Sequence, residues 1–237
     1  MNIENFVSDL RYSFHELNKQ RKFTRDIRNG VMRQEPRFRP ITSIHEDMYK
    51  GYPAGTVEYA HIARYDFAKS IVSGLVLNAA AGSGYGNEIL SRSGAKVIGV
   101  DLHMQPLQLA KTHFPAHEFI LGNILDLGMF SNETFNAIVS FETIEHIPDP
   151  VRGVTELKRL LKIGGHFVGS IPIQIFHNPG TNFTYSEVTG FVSKFFPGCR
   201  FMLQTNSEIV AHTDENWRRI RFDGNKYLLF HWTKSER

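Results

Sequence analysis

Apolar positions change their period twice along the chain. Near the start, Ile3, Phe6 or Val7, Leu10, Phe14 and Leu17 recur at helical spacing and predict an amphipathic helix that would cover the main domain or a second copy of the chain. From Asn29 to Gly55 no period is visible, and a long connecting loop able to order as a lid is expected. A stripe of Val57, Ala60, Phe67, Ala68, Ile71 and Val72 predicts a helix from Thr56 to about Val72. Beyond it, short apolar runs alternate with helical stripes: a strand at Leu75 to Asn78, a helix from Tyr85, a strand at Val97 to Asp101, a helix from Pro106, then strands at Phe119 to Leu121 and Phe135 to Ser140. Asp149 suits an N-cap with Pro150 at the first helical position, Val154, Leu157, Leu160 and Leu161 face inward, and Gly164 with Gly165 is expected to end that helix. A strand at His166 to Ile171 follows. Thr184 and Glu187 then form a capping box for a helix burying Val188, Phe191, Val192 and Phe195, and strands at Arg200 to Gln204 and Lys226 to Trp232 close the pattern. Strands alternating with helices argue an α/β fold on a parallel sheet. Residues 1–55 are expected to form an N-terminal helix and lid, and residues 56–237 the main domain.

Composition narrows this only a little. A chain of 237 residues with 41% apolar content can bury one α/β core and a modest extension. The longest apolar runs, Phe135 to Ser140 and Phe167 to Ile171, are too short to cross a bilayer, and no signal-peptide core precedes them, so a cytoplasmic protein without membrane contact is expected. The single cysteine, Cys199, excludes an intrachain disulfide and a cysteine metal cluster. The net charge of +3 is mild, yet Arg21, Lys22, Arg25, Arg28, Arg33, Arg37 and Arg39 crowd one stretch, and Arg218, Arg219 and Arg221 lie near the end. Such runs are usually solvated; an anionic partner, nucleic acid included, is the sharper alternative.

Chemistry is concentrated in LVLNAAAGSGYG, where a buried strand runs into a turn carrying Gly82, Gly84 and Gly86 and opens a helix. Glycines there let backbone approach a ligand, and their alternate spacing departs from the G-x-G-x-x-G dinucleotide pattern, which disfavours a nicotinamide cofactor. Asp101 ends the next strand about 20 residues on, where a carboxylate can accept both hydroxyls of a ribose. The successive segments LVLNAAAGSGYG, VIGVD, GNILD and FNAIVSFETIEHIPDP resemble the class I S-adenosylmethionine (SAM) dependent methyltransferases, in particular the small-molecule type 11 group, over about Tyr59 to Gln204. EYAHIARYDFA upstream and FHNPGTNFTYSEVTGF downstream resemble the flanking segments of that group.

The resemblance implies a Rossmann-like sheet of seven strands, six parallel and the last reversed, with helices on both faces and an N-terminal helical cap. It places Ala80, Gly82 and Gly84 along the methionine portion of SAM, Asp101 at the ribose, Asn123 and Ile124 at the adenine, and Phe141 and Glu142 as closing walls, with Tyr85 and Leu102 as further cofactor-binding residues. Asn78 stands where the family has an acid, keeping hydrogen bonding but losing charge, and Asn123 similarly replaces a common Asp. His61, Arg64 and Tyr65 of the preceding helix are candidates for the cofactor's carboxylate, Arg64 foremost. His146, just beyond the fourth strand, is the candidate general base, against the plainer role of bonding the loop Ile147 to Pro150; Glu142 and Glu145 are the nearby acids that would orient it or grip an amine. His177, Asn178 and Tyr185 are candidate substrate contacts. His113 and His117 flank Pro115 without an acidic third ligand, so no metal is expected. Phe191, Phe195 and Phe196 read as core. The expected reaction is O-methylation of a hydroxyl on a sugar or secondary metabolite; methylation of nucleic acid or protein, and SAM binding without transfer, stay open as alternatives, as does a homodimer.

Overall fold

The computed structural model describes residues 59–173, 185–205, 208–213, 216 and 226–236. The expected N-terminal helix, the lid, the basic arm, Thr184, His177, Asn178 and Arg218 to Arg221 lie outside the described residues.

Helix α1 (Tyr59–Lys69) leads into β1 (Leu75–Ala79), α2 (Tyr85–Ser91), β2 (Lys96–Asp101), α3 (Met104–His113), β3 (Glu118–Leu121) and β4 (Phe135–Phe141). A 3-10 turn (Ile144–His146) follows, then α4 (Pro150–Leu160), β5 (Leu161–Ile173), α5 (Tyr185–Phe195), β6 (Arg200–Thr205), β7 (Glu208–Ala211) and β8 (Lys226–Thr233). The strands form one sheet of eight in the order β3-β2-β1-β4-β5-β8-β6-β7. Strands β1 to β5 pair in parallel, and β8 runs antiparallel between β5 and β6.

Eight strands replace the expected seven because β6 turns back on itself. Thr205 pairs with Glu208 and Met202 with Ala211, so the added strand is the outer arm of a hairpin. Glu208 is exposed and Ile209 and Val210 only half-buried, which gives a strand without the apolar signature sought in the sequence. A second correction concerns Gly164 and Gly165. The helix ends earlier, at Leu160, and Leu161 already pairs with Phe135; the glycines sit in a bulge before pairing resumes at His166 with Ala137. Gly164 has φ +76, and a Cβ on Gly165 would stand 2.9 Å from the carbonyl oxygens of Asn136 and Lys162. Asp149 does cap α4, its side chain accepting from Arg152 N at 2.9 Å with Pro150 behind it. Phe195 is only half-buried, and Phe196 goes inside in its place.

The core is the sheet itself: Val76, Leu77, Ala137, Ile138, Val139, Phe167, Val168, Leu228, Leu229 and Phe230 are fully enclosed. Near-continuous apolar strands suit a parallel sheet covered on both faces, and each enclosed large side chain contributes about 1.5–3 kcal/mol. Phe167 stacks on Phe230 at 5.7 Å and meets Phe196 at 4.6 Å. Because β1 to β5 run side by side in one direction, their carboxyl ends lie on one edge, where open α/β folds collect ligands.

Candidate active site

At that edge the chain leaves β1 through a turn of three left-handed residues, Ala80 (φ 63), Gly82 (φ 55) and Gly84 (φ 85). A side chain on Gly84 would strike the Cβ of Ala110 and the ring of Phe119 at 2.7 Å, so this glycine serves packing. Gly82 differs: a Cβ there would meet no atom of the described residues within 4 Å. Its surface is open to a ligand. The Ser83 hydroxyl between them is buried without a hydrogen-bond partner.

Asp101 ties this turn to β2. One carboxylate oxygen accepts from Gly82 N at 2.8 Å and the other from His103 N at 2.9 Å. It thus braces the turn and the entrance to α3, whose N-cap His103 offers no side-chain bond. Each oxygen keeps acceptor capacity for a ribose hydroxyl. Leu102 stands 52% exposed beside it, while Ile124 beyond β3 is 6% exposed. Asn123 is exposed and spends its amide oxygen on Leu125 N at 2.9 Å.

Asn78 is wholly buried. It accepts from Tyr65 Oη at 3.3 Å and donates to Asn87 Oδ1 at 2.9 Å. A neutral amide fits this chain of donors and acceptors because it offers both functions at once. Tyr65 meets Tyr85 and Phe141 edge-on at 5.4 and 5.0 Å, and burial pushes its phenol up to about 12. The Tyr85 hydroxyl hydrogen-bonds His61 Nδ1 at 3.2 Å; burial, then the nearby Arg64 charge, lowers His61 to about 4.

Arg64 is the most informative side chain. It is fully enclosed, donates through Nε to Gln204 Oε1 at 2.7 Å, lies over the Tyr227 ring at 3.9 Å and approaches Glu142 Oε1 at 3.4 Å. Its two terminal nitrogens nevertheless lack hydrogen-bond partners. A buried guanidinium with unfilled donors is costly and suits an incoming carboxylate. Neither Gln204 nor Tyr227 was signalled as functional in the sequence; Gln204, a polar residue directly after the apolar run FML, was the available clue.

Beyond β4, Glu142 adopts φ 50 and is clamped by Ser170, whose hydroxyl donates to Glu142 Oε1 at 3.0 Å while Glu142 N approaches Ser170 O at 3.3 Å. Glu145, on the following 3-10 turn, has a side chain that is 0% exposed, and neither oxygen has a hydrogen-bond partner. Burial, then repulsion from Glu142, holds its carboxyl well above the usual range. His146 lies alongside, Nε2 at 3.9 Å from Glu145 Oε1, with 61% of its side chain in solvent. Surrounding protein lowers its pKa from 6.5, an effect its exposure moderates. Tyr185 stacks on His212, 5.4 Å between centroids, and hydrogen-bonds it. No group of three potential metal ligands, and no helix long and apolar enough to cross a membrane, occurs among the described residues.

The site combines a left-handed glycine turn braced by the acid ending the second parallel strand with a buried arginine whose terminal nitrogens lack hydrogen-bond partners. Residues 77–169 match the methyltransferase domain family. A protein of Mycolicibacterium smegmatis named "probable S-adenosylmethionine-dependent methyltransferase" is 31% identical over 105 residues, covering 44% of this chain and 40% of that one. The ubiquinone biosynthesis O-methyltransferase of Alkalilimnicola ehrlichii is 31% identical over 115 residues, 45% of this chain and 47% of that one. The match thus spans less than half the length of either relative. Among solved structures, a SAM-dependent methyltransferase of Thermotoga maritima covers 75% of this chain and 90% of its own (TM-score 0.56, 17% identity). The [4+2]-cyclase SpnF shares the fold over 75% of this chain and 82% of its own (TM-score 0.56, 11% identity). Over residues 77–169 the chain is similar to the class I SAM-dependent methyltransferases, a family whose methyl donor is SAM.

Proposed function

We propose that the protein transfers a methyl group from SAM to a hydroxyl of a small molecule, a sugar or a secondary metabolite. The observation that carries the reading is Arg64, a buried cation whose terminal nitrogens lack hydrogen-bond partners, in a chain whose glycine turn is pinned to Asp101. Arg64 would hold the carboxylate of the donor's methionine portion, the Asp101 carboxylate the ribose hydroxyls, and Leu102 with Ile124 the faces of the adenine. Bound SAM supplies an electrophilic methyl group, and transfer is an in-line displacement that needs orientation and a proton acceptor. His146, at the exposed lip, takes the acceptor's proton in this reading, and Glu142, fixed by Ser170, aligns the hydroxyl. The O-methyltransferase among the relatives supports oxygen as the acceptor atom.

Calorimetric titration with SAM and with its demethylated product S-adenosylhomocysteine is the test, using wild type, Asp101→Asn and Arg64→Met. Micromolar binding of both ligands, weakened tenfold or more by each substitution, is expected; no binding to a folded wild type would sink the reading. In a hydroxyl-acceptor screen read by product formation, His146→Ala should lower turnover on the order of 10² while sparing SAM affinity. SpnF favours a second reading, a SAM-binding fold used for other chemistry. Tight SAM binding with no methylated product across that screen would select it.

A further inference from the structure

Glu145 is the described carboxylate with both oxygens enclosed and neither hydrogen-bonded. A ligand-free fold gains nothing from such a group, since burying an unpaired polar side chain is costly. The turn that carries it follows directly on β4, at the ligand edge of the sheet. The charged groups acting on it are few. Glu142, from the end of β4, repels it; Arg64, from α1, attracts it; the backbone amides of Thr143 and Glu145 help its anion slightly; and His146 Nε2 stands 3.9 Å away. Burial outweighs them all and shifts the group toward the neutral acid.

Methyl transfer from a sulfonium removes one positive charge from an enclosed site and releases one proton from a hydroxyl. Building on the function proposed above, we propose that Glu145 is a charge-compensating proton carrier: it releases its proton when a sulfonium-bearing ligand occupies the site and takes up the acceptor's proton when that charge is consumed. A positive charge brought within about 4–6 Å lowers a carboxyl pKa by about 1–3 units, and its removal reverses the effect. The step balances. The acceptor's O–H bond breaks, an O–C bond forms, the C–S bond breaks with its electron pair left on sulfur, and the proton passes by way of His146 to Glu145. Sulfonium with carboxylate becomes thioether with carboxylic acid, so the net buried charge is the same before and after.

The test reads protons rather than activity. Binding of SAM and of S-adenosylhomocysteine is measured calorimetrically in two buffers of different ionisation enthalpy, at pH of roughly 6–8. In wild type, SAM should release more protons than S-adenosylhomocysteine, by up to about one per site. Glu145→Gln, and Glu145→Leu as a second variant, should bind both ligands with that excess removed. Protons from the ligands' own amino groups appear equally in wild type and variants and cancel. Infrared difference spectra offer a direct view: the C=O stretch of a protonated carboxyl should vanish on adding SAM, persist with S-adenosylhomocysteine and be missing from the variants. Equal proton counts for the two ligands, or an excess that survives in both variants, would overturn the proposal. Failure of wild type to bind either ligand would instead undo the function on which it rests.

Discussion

At the residue scale, His61 and Glu145 make the ligand-free protein sensitive to pH in opposite directions. His61 is lowered in the folded chain to about 4, from 6.5. As pH falls below about 6.5 the unfolded chain binds a proton that the folded chain refuses, so stability present above that value is lost on descending toward about 4, by at most about 3 kcal/mol. Urea denaturation at roughly pH 7 and pH 4.5 should show the loss in wild type and a flatter profile in His61→Gln. Glu145 is raised, so the unfolded chain gives up a proton that the folded chain keeps, and stability falls as pH climbs above the ordinary carboxyl range, by at most about 1.4 kcal/mol per pH unit. Glu145→Gln should therefore equal or exceed wild-type stability at pH 8 in the absence of ligand. Neither behaviour was legible in the sequence, because both depend on enclosure by residues distant in the chain. The motif identified Glu145 as an acid near His146; only folding shows it stripped of partners.

At the element scale, the β1–α2 turn separates two uses of glycine that look alike in GSG. Gly84→Ala places a methyl against Ala110 and Phe119 at φ +85, and chemical denaturation should register a loss of about 2 kcal/mol or more. Gly82→Ala meets open space, so its cost should be confined to the left-handed backbone, about 1–2 kcal/mol, while its methyl obstructs the ligand and weakens SAM binding much more than stability. Equal effects of the two substitutions on binding and stability would refute this division. Strands β1, β2 and β4 were legible because their apolar runs are continuous, and α4 because Asp149, Pro150 and the inward leucines agree. The β7 hairpin arm was not, since its exposed Glu208 and half-buried Ile209 carry little apolar signal. Gly164 and Gly165 read as a helix stop because local sequence cannot distinguish a terminus from a bulge that a neighbouring strand imposes.

At the scale of the whole molecule, the cofactor motifs came from contiguous segments following β1, β2, β3 and β4, which is why they could be read before the fold was known. The anchorage of Arg64 could not be read that way: Gln204 lies 140 residues away on β6, Tyr227 comes from β8 and Glu142 follows β4. One arginine thereby joins α1 to two strands of the sheet and to the segment that follows a third. Arg64→Met keeps the volume and removes the charge paired with Glu142, so a loss of about 3–5 kcal/mol is expected in the ligand-free protein, as for a broken buried ion pair. The same side chain is assigned to the ligand, which makes a second effect separable from the first. S-adenosylhomocysteine at a hundredfold excess over its Kd should add about 2.7 kcal/mol to wild-type stability and raise Tm by roughly 5–10 °C. In Arg64→Met at the same ligand concentration, Tm should start lower and the ligand-induced rise should shrink to a small fraction. A lowered starting Tm with an undiminished rise would show that Arg64 serves only to hold the sheet and α1 together, and would transfer the carboxylate contact to another donor of the pocket.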